Sequence, residues 1–170
     1  AGRFSSQFSQ HWQLNNDFIY NDDTGNIDDN TLSLKYRGSD SSLFNVSHRF
    51  LRNDTAANTT QQTQVSTIFP IAKRSWYLFA HADYDHTNER DLEQLAGIEY
   101  NSCCYRVRFA YKKSIDDDQI TTGNNTVDYD EGLVLEFQLL GLGSTGKQFN
   151  NLFKDSIDGY EQWEATYRDN

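Results

Sequence analysis

Long apolar runs are the first feature that this sequence lacks. No stretch approaches the roughly 20 apolar residues that a membrane-spanning helix needs. Basic residues are also scarce: 15 Lys and Arg stand against 25 Asp and Glu, for a formal net charge of −10. That balance argues against a nucleic-acid partner, because proteins that bind nucleic acid usually carry a basic stripe on their surface. The chain has neither an initiator methionine nor an apolar signal-peptide core, so we interpret it as an internal or C-terminal piece of a processed precursor.

Hydrophobic residues are few, although aromatic residues are not. Hydrophobic residues make up 36% of the chain, mean hydropathy is −0.79, and there is one proline and no methionine. This composition fits the core of a soluble globular domain poorly. At 14% of the chain, aromatic residues are too frequent for ordinary disorder. Low average hydropathy with many aromatic residues is typical of a transmembrane β-barrel, whose strands alternate lipid-facing and lumen-facing side chains.

Alternation with period two predicts an all-β, antiparallel barrel segment of about eight strands. In the clearest run, residues 4–20, the even positions hold Phe4, Phe8, Trp12, Leu14, Phe18 and Tyr20. This run is longer than a bilayer crossing needs, so we expect it to project beyond the membrane. The other predicted strands cover residues 31–37, 43–51, 62–71, 76–86, 92–100, 105–112 and 132–141. Pro70 predicts a strand terminus or a loosely paired position.

Loop lengths predict an orientation for these strands. The longer connections are 21–30, 52–61, 87–91 and 114–128, and the shorter ones are 38–42, 72–75 and 101–104. In bacterial outer-membrane barrels the external loops are long and the periplasmic turns are short. We therefore expect residues 1–143 to form barrel strands with their short turns in the periplasm, and residues 144–170 to form a periplasmic C-terminal tail.

The tail loses period two. Phe149, Leu152, Phe153 and Ile157 fall at helical spacing. This spacing predicts a short helix, followed by an irregular end around Trp163 and Tyr167.

The only two cysteines, Cys103 and Cys104, are adjacent in one of the predicted short turns. Adjacent cysteines bond to each other with difficulty, because the peptide between them prefers trans and the disulfide torsion prefers about 90°. The periplasm oxidises thiols, so we expect their disulfide partners to lie outside this sequence. The alternative is a pair of free thiols in a turn.

Two segments carry a resemblance to a known family. Residues 97–105 (GIEYNSCCY) and 132–144 (GLVLEFQLLGLGS) resemble the C-terminal part of the barrel in the LptD family of outer-membrane LPS-assembly proteins. The resemblance implies a translocon that inserts lipopolysaccharide into the outer leaflet of the bacterial outer membrane. It also implies an LptE-like lipoprotein plug and a periplasmic bridge component as partners.

The same resemblance implies roles for particular residues. Cys103 and Cys104 would form long-range disulfides with cysteines near the N-terminus. The strand at 132–141 would be the last strand, one lip of a lateral gate, with Gly132, Leu133, Leu135, Phe137 and Leu139 along it. Independently, residues 130–137 look like a sorting signal that is read by the outer-membrane insertion machinery during assembly.

Cations on the predicted polar faces have two interpretations. Arg106, Arg108 and Lys112, together with Lys35, Arg37 and Arg49, would contact lipopolysaccharide phosphates, which arginine binds bidentately. Ordinary ion pairing inside the lumen is the interpretation that we favour. Acidic groups at Asp22, Asp23, Asp28 and Asp29 and at 116–118 lack the spacing of a calcium loop. We expect solvated loops there, and neither a metal nor a cofactor.

Two other functions stay open. Eight strands can close on themselves, which would make this chain a self-contained outer-membrane barrel acting as an adhesin or membrane anchor. An outer-membrane enzyme is the second alternative. His11, His48, His81 and His86 are scattered and none lies in a nucleophile motif, so we expect no catalysis.

Overall fold

The computed structural model describes residues 1–52, 59–71, 75–115, 128–139 and 147–167. Its elements are β1 (Gly2–Gln7), β2 (Trp12–Asn21), β3 (Asn26–Arg37), β4 (Leu43–Arg52), β5 (Thr59–Ile71), β6 (Trp76–Asp85), β7 (Arg90–Asn101), β8 (Tyr105–Ile115), β9 (Tyr129–Leu139), α1 (Lys147–Ser156) and α2 (Tyr160–Tyr167). The nine strands form one sheet in sequence order, and each pairs antiparallel with the next. The all-β prediction is confirmed.

The sheet is open within these ranges, because β1 pairs only with β2 and β9 only with β8. Nine strands in an open sheet do not match the alternative of a self-closing eight-stranded barrel. They match a wall segment of a larger barrel.

The prediction of one long strand at residues 4–20 is wrong. β1 and β2 form a hairpin in which Gly2 pairs with Phe18 and Gln7 pairs with Gln13. Paired residues have the same parity, as in the pair of Phe4 with Asn16. The turn therefore leaves the alternation unbroken, and period two alone cannot reveal it. No extension beyond the membrane is needed to account for the length of this run.

The long loop predicted at residues 21–30 is also wrong, because β3 begins at Asn26. The connection is a tight turn, in which Gly25 adopts φ 68° and its N–H donates to the Asn21 carbonyl at 2.9 Å. Asp28 and Asp29 lie in β3 rather than in a solvated loop. The predicted loops at 52–61 and 114–128 fall mostly outside the described residues, as do the acidic positions 116–118.

The predicted apolar face is confirmed along the strands. A row of paired residues crosses β5 to β9 on one side of the sheet, through Phe69, Leu78, Ile98, Phe109 and Leu135. All five side chains are exposed, and we call this side the open face. Pro70 lies past the last β4–β5 pair, Leu43 with Ile68. It therefore pairs only with β6, as predicted from its missing N–H.

The opposite side of the sheet, which we call the helix face, carries α1 and α2. Its central row runs through Leu43, Ile68, Phe79, Gly97 and Ala110, which are paired in order across β4 to β8. The helices bury five side chains near this row: Phe149, Phe153, Ile157, Tyr160 and Trp163. At Gly97 an added Cβ would lie 2.9 Å from Cζ of Phe153, so the missing side chain lets the helix approach.

The helix predicted in the tail is confirmed, but the irregular end predicted around Trp163 is wrong. Trp163 and Tyr167 belong to α2. Gly159, at φ 83°, makes the turn between the two helices, because glycine adopts positive φ without strain. In the part of the chain that the structure describes, no helix is long and apolar enough to cross a membrane.

Candidate functional site

The cysteine turn connects β7 to β8. Cys103 and Cys104 are free and exposed, and the turn closes with the Ser102 N–H donating to the Tyr105 carbonyl at 3.0 Å. The two sulfur atoms lie 2.9 Å apart in a hydrogen bond. No disulfide joins the two residues to each other in this structure, and both thiols are exposed.

The two thiols are electrostatically unequal. The pKa of Cys103 lies below its ordinary value, chiefly because of the hydrogen bond with Cys104 and also through the Ser102 hydroxyl. The pKa of Cys104 is raised by the same hydrogen bond and by the nearby charge of Cys103. The shared hydrogen bond thus separates the two ionisations of the pair, so one thiol ionises before the other as pH rises. Since the thiolate is the nucleophile in disulfide exchange, that first ionisation supplies the reactive sulfur.

The terminal strand β9 contains every residue that was predicted for the gate strand: Gly132, Leu133, Leu135, Phe137 and Leu139. It begins three residues before the predicted start at residue 132, and residues 140 and 141 of the predicted strand lie outside the described part of the chain. It pairs with β8 from Ile115–Tyr129 to Tyr105–Leu139, and no described strand covers its other edge. Leu133, Leu135 and Phe137 are 68%, 73% and 60% exposed on the open face.

The predicted cations on β8 lie on the helix face in ion pairs. Arg106 and Arg108 are each only 1% exposed, and their Nε atoms lie 3.3 and 2.7 Å from the two carboxylate oxygens of Glu99. Lys112 Nζ lies 2.9 Å from Glu93 Oε2. Ion pairing, the favoured interpretation of these cations, is therefore present in the structure.

Arg108 also joins the sheet to the tail. One of its terminal nitrogens, Nη1, donates to Asn150 Oδ1 of α1 at 2.6 Å, and the other, Nη2, to Glu164 Oε1 of α2 at 3.4 Å. Glu136 of β9 lies 3.8 Å from Nη1, and the guanidinium carbon is 5.3 Å from the Phe149 ring centroid. One buried cation thus contacts β7, β9 and both helices.

The site where the tail packs was not predicted from the sequence. Tyr77, Phe79 and Leu95 occupy positions whose parity predicts a polar face, yet all three are buried beneath the helices. A signal was present, because these exceptions to the alternation coincide with an amphipathic tail that needs an apolar surface. Glu99, opposite Arg108 in the β7–β8 register, was a second missed signal.

The histidines divide between the two faces of the sheet. On the open face the rings of His48 and His86 both contact the Thr63 hydroxyl, at 2.9 and 2.8 Å. On the helix face His81 is buried, with Nε2 3.7 Å from Glu93 Oε1. Across the described ranges, no group of three or more His, Cys, Asp or Glu side chains could hold a metal ion.

Known proteins resemble this chain over most of its length. The family model described as LPS transport system D, LptD, matches residues 1–76. The LPS-assembly protein LptD of Saccharophagus degradans is 34% identical over 157 residues, which cover 86% of this chain and 18% of the relative. That of Hahella chejuensis is 33% identical over 126 residues, covering 74% and 15%. That of Pseudomonas aeruginosa is 27% identical over 176 residues, covering 93% and 19%. The chain spans about a fifth of the length of these curated relatives.

Proposed function

The chain belongs to the LPS-assembly protein LptD family, and from that premise we propose that it forms wall strands of an outer-membrane translocon for lipopolysaccharide. The observation that carries this proposal is the two-sided sheet. Its open face exposes a continuous row of large apolar side chains, whereas its helix face holds buried ion pairs. Such a sheet fits a wall with lipid on one side and a polar interior on the other.

The terminal strand β9 is one lip of a lateral gate in this proposal. A strand edge without a partner is unfavourable in lipid, because its N–H and C=O groups have no water to bind. The edge of β9 therefore pairs with a strand from elsewhere in the barrel. A short or weak pairing at this seam would let a lipid pass between the lumen and the bilayer.

A photocrosslinking experiment in the full-length parent tests the gate. A photoreactive phenylalanine analogue placed at Leu135 of β9 is expected to crosslink lipopolysaccharide in transit, because that side chain lies beside the proposed seam. Phe69 of β5 is the matched control position, because it belongs to the same cross-strand row and is also exposed. Adducts at Phe69 as abundant as those at Leu135 would show general lipid contact and contradict a gate at β9.

The cysteine turn is a covalent anchor to a periplasmic part of the same protein in this proposal. The support is that both thiols are exposed and unbonded at the end of the sheet where the turns at 38–42 and 102–104 lie. In the same proposal the helices of the tail, residues 147–167, lie against the interior side of the wall near these turns. There the Trp163 indole donates to the Ser41 carbonyl of the 38–42 turn at 2.7 Å.

Disulfide mapping tests the anchor. When the full-length parent is purified without reductant and digested, mass spectrometry is expected to find Cys103 and Cys104 each joined to a cysteine distant in sequence. The reason is that the adjacent thiols are exposed in an oxidising compartment and pair with each other only with difficulty. Recovery of both residues as free thiols from unreduced protein would contradict the anchor. It would not bear on the gate, which the photocrosslinking experiment tests separately.

The remaining partners follow from the same proposal. Lipopolysaccharide is the transported lipid, an LptE-like lipoprotein fills the barrel, and a periplasmic bridge component delivers the lipid. The outer-membrane insertion machinery reads β9 during assembly. Among the predicted cations on β8, Lys112 is the accessible phosphate contact, because its side chain is about a third exposed. Arg108, which Asn150 and Glu164 of the tail contact, would reach a phosphate only if the tail moved away. Arg106 is buried beside Glu99.

A further inference from the structure

The tail helices reach across the sheet to strands far from β9. On β3, the Arg37 guanidinium donates to Gln162 Oε1 at 3.0 Å, and Lys35 forms an ion pair with Asp158. On β4, the Asn45 amide donates to the Asp158 carbonyl at 2.9 Å. These contacts attach the α1–α2 turn and the start of α2 to the strands that follow the first hairpin.

The same helices contact the terminal strands through Arg108. Asn150 of α1 and Glu164 of α2 accept hydrogen bonds from its two terminal nitrogens, and Glu136 of β9 lies within ion-pair distance of the same guanidinium. Val134 of β9 packs against the apolar cluster formed by the helices and the sheet. The helix pair thus contacts both β3–β4 and β8–β9, which are separated by three strands.

β9 has few other restraints within the described residues. Its open-face side chains are largely exposed, and only β8 pairs with it. A strand held along one edge, with few buried apolar contacts, belongs to the part of a structure that opens locally at low free energy. Beyond its ladder with β8, the contacts of Val134 and Glu136 on the helix face are what restrain β9 within the described residues.

We propose that residues 147–167 form a brace that ties β9 to β3 and β4 through Arg108, so that docking of the tail keeps the terminal strand paired with β8. Docking and strand pairing are then coupled: whatever releases the tail weakens β9, and whatever opens β9 weakens tail docking by the same factor. The consequence for lipid passage rests on the function proposed above, whereas the brace itself rests on these contacts.

Hydrogen exchange of the full-length parent, followed by mass spectrometry, tests the brace. The double variant Asn150→Ala with Glu164→Ala removes both tail acceptors of Arg108 and leaves Glu99 and Glu136 in place. We expect amides of β9 to exchange roughly tenfold faster or more, the factor that one lost charge-assisted hydrogen bond would produce. Amides of β2, which the brace does not contact through Arg108, are expected to keep their exchange rates.

The matched control is Asn151→Ala with Glu161→Ala. Both residues are exposed neighbours on the same two helices, and Glu161 pairs only with the exposed Lys154 among the ion pairs of the described chain. This variant is expected to leave β9 exchange unchanged. If the first double variant does not assemble, Asn150→Ala alone is measured against Asn151→Ala.

Two results would overturn the brace. In the first, the tail amides exchange faster while the amides of β9 keep their wild-type exchange rate. In the second, neither segment changes its exchange rate when both acceptors are removed. Faster exchange in β9 together with unchanged lipopolysaccharide delivery would leave the brace standing. That result would contradict the gate role of β9, so the two proposals fail in distinguishable ways.

Discussion

Replacing Arg108 with methionine is expected to lower the free energy of unfolding by about 3–5 kcal/mol, the range for breaking one side of a buried ion pair. Methionine fills much of the same volume but cannot donate. Glu99, which is 2% exposed, would lose its 2.7 Å hydrogen bond. Glu136, Asn150 and Glu164 would each lose an ion pair or a hydrogen bond to the same guanidinium, and a buried or partly buried polar group that loses a partner destabilises the fold.

Urea unfolding of the full-length parent in detergent micelles measures this effect. Lys113→Met is the matched control, because it removes a cation from the same strand on the open face. Its amino group lies 3.7 Å from Glu131, and both side chains are partly exposed. That substitution is expected to lower the unfolding free energy by about 1 kcal/mol or less. Equal losses for the two variants would show that Arg108 is no more than an ordinary surface cation.

Replacing Phe153 with alanine is expected to release the tail from the sheet. Phe153 is fully buried, and its ring centroid lies 4.5 Å from that of Phe79, 4.8 Å from Phe149 and 5.6 Å from Tyr160. Truncation of a buried phenylalanine costs about 3–5 kcal/mol. Since the backbone pairing of the strands does not involve Phe153, most of that loss falls on helix docking.

Limited trypsin digestion measures the release of the tail. Lys154 lies in α1 with its side chain half exposed, but a protease needs the helix to open before it can cleave. A loss of about 3 kcal/mol corresponds to a roughly 100-fold larger open population, and cleavage should accelerate accordingly. Phe69→Ala, the same substitution at an exposed open-face position of β5, should leave the rate unchanged. A wild-type cleavage rate in Phe153→Ala would show that helix docking does not depend on this cluster.

Most strands could be predicted from the sequence, because successive side chains of a strand point to opposite sides of the sheet and so alternate between apolar and polar. Alternation alone therefore predicted the open face at Phe69, Leu78 and Phe109. The strands from β5 to β8 lie close to their predicted bounds. The same signal failed at residues 4–20. A turn that preserves parity produces the same pattern as an uninterrupted strand, and only the pairing of Phe4 with Asn16 separates the two.

Some parts of the candidate site could likewise be predicted from local alternation, and others could not. Cys103 and Cys104 lie in a turn between two strands, and the residues predicted for the gate strand, Gly132 to Leu139, lie in β9. Both placements could be predicted because they depend on local alternation. Arg106 and Arg108 were identifiable as inward-facing cations. The burial of Arg108 was not, since it depends on a tail that follows some forty residues later in the chain.

The sequence by itself determined which face of each strand is apolar, where the adjacent cysteines lie and that part of the tail is helical. These properties follow from the period of neighbouring residues and from local backbone preferences. Only the tertiary structure decided that the tail packs on the helix face, that Trp163 contacts the turn at Ser41, and that Arg108 contacts both helices. The physical reason is that burial and ion pairing depend on register between residues distant in the chain, which no local pattern records.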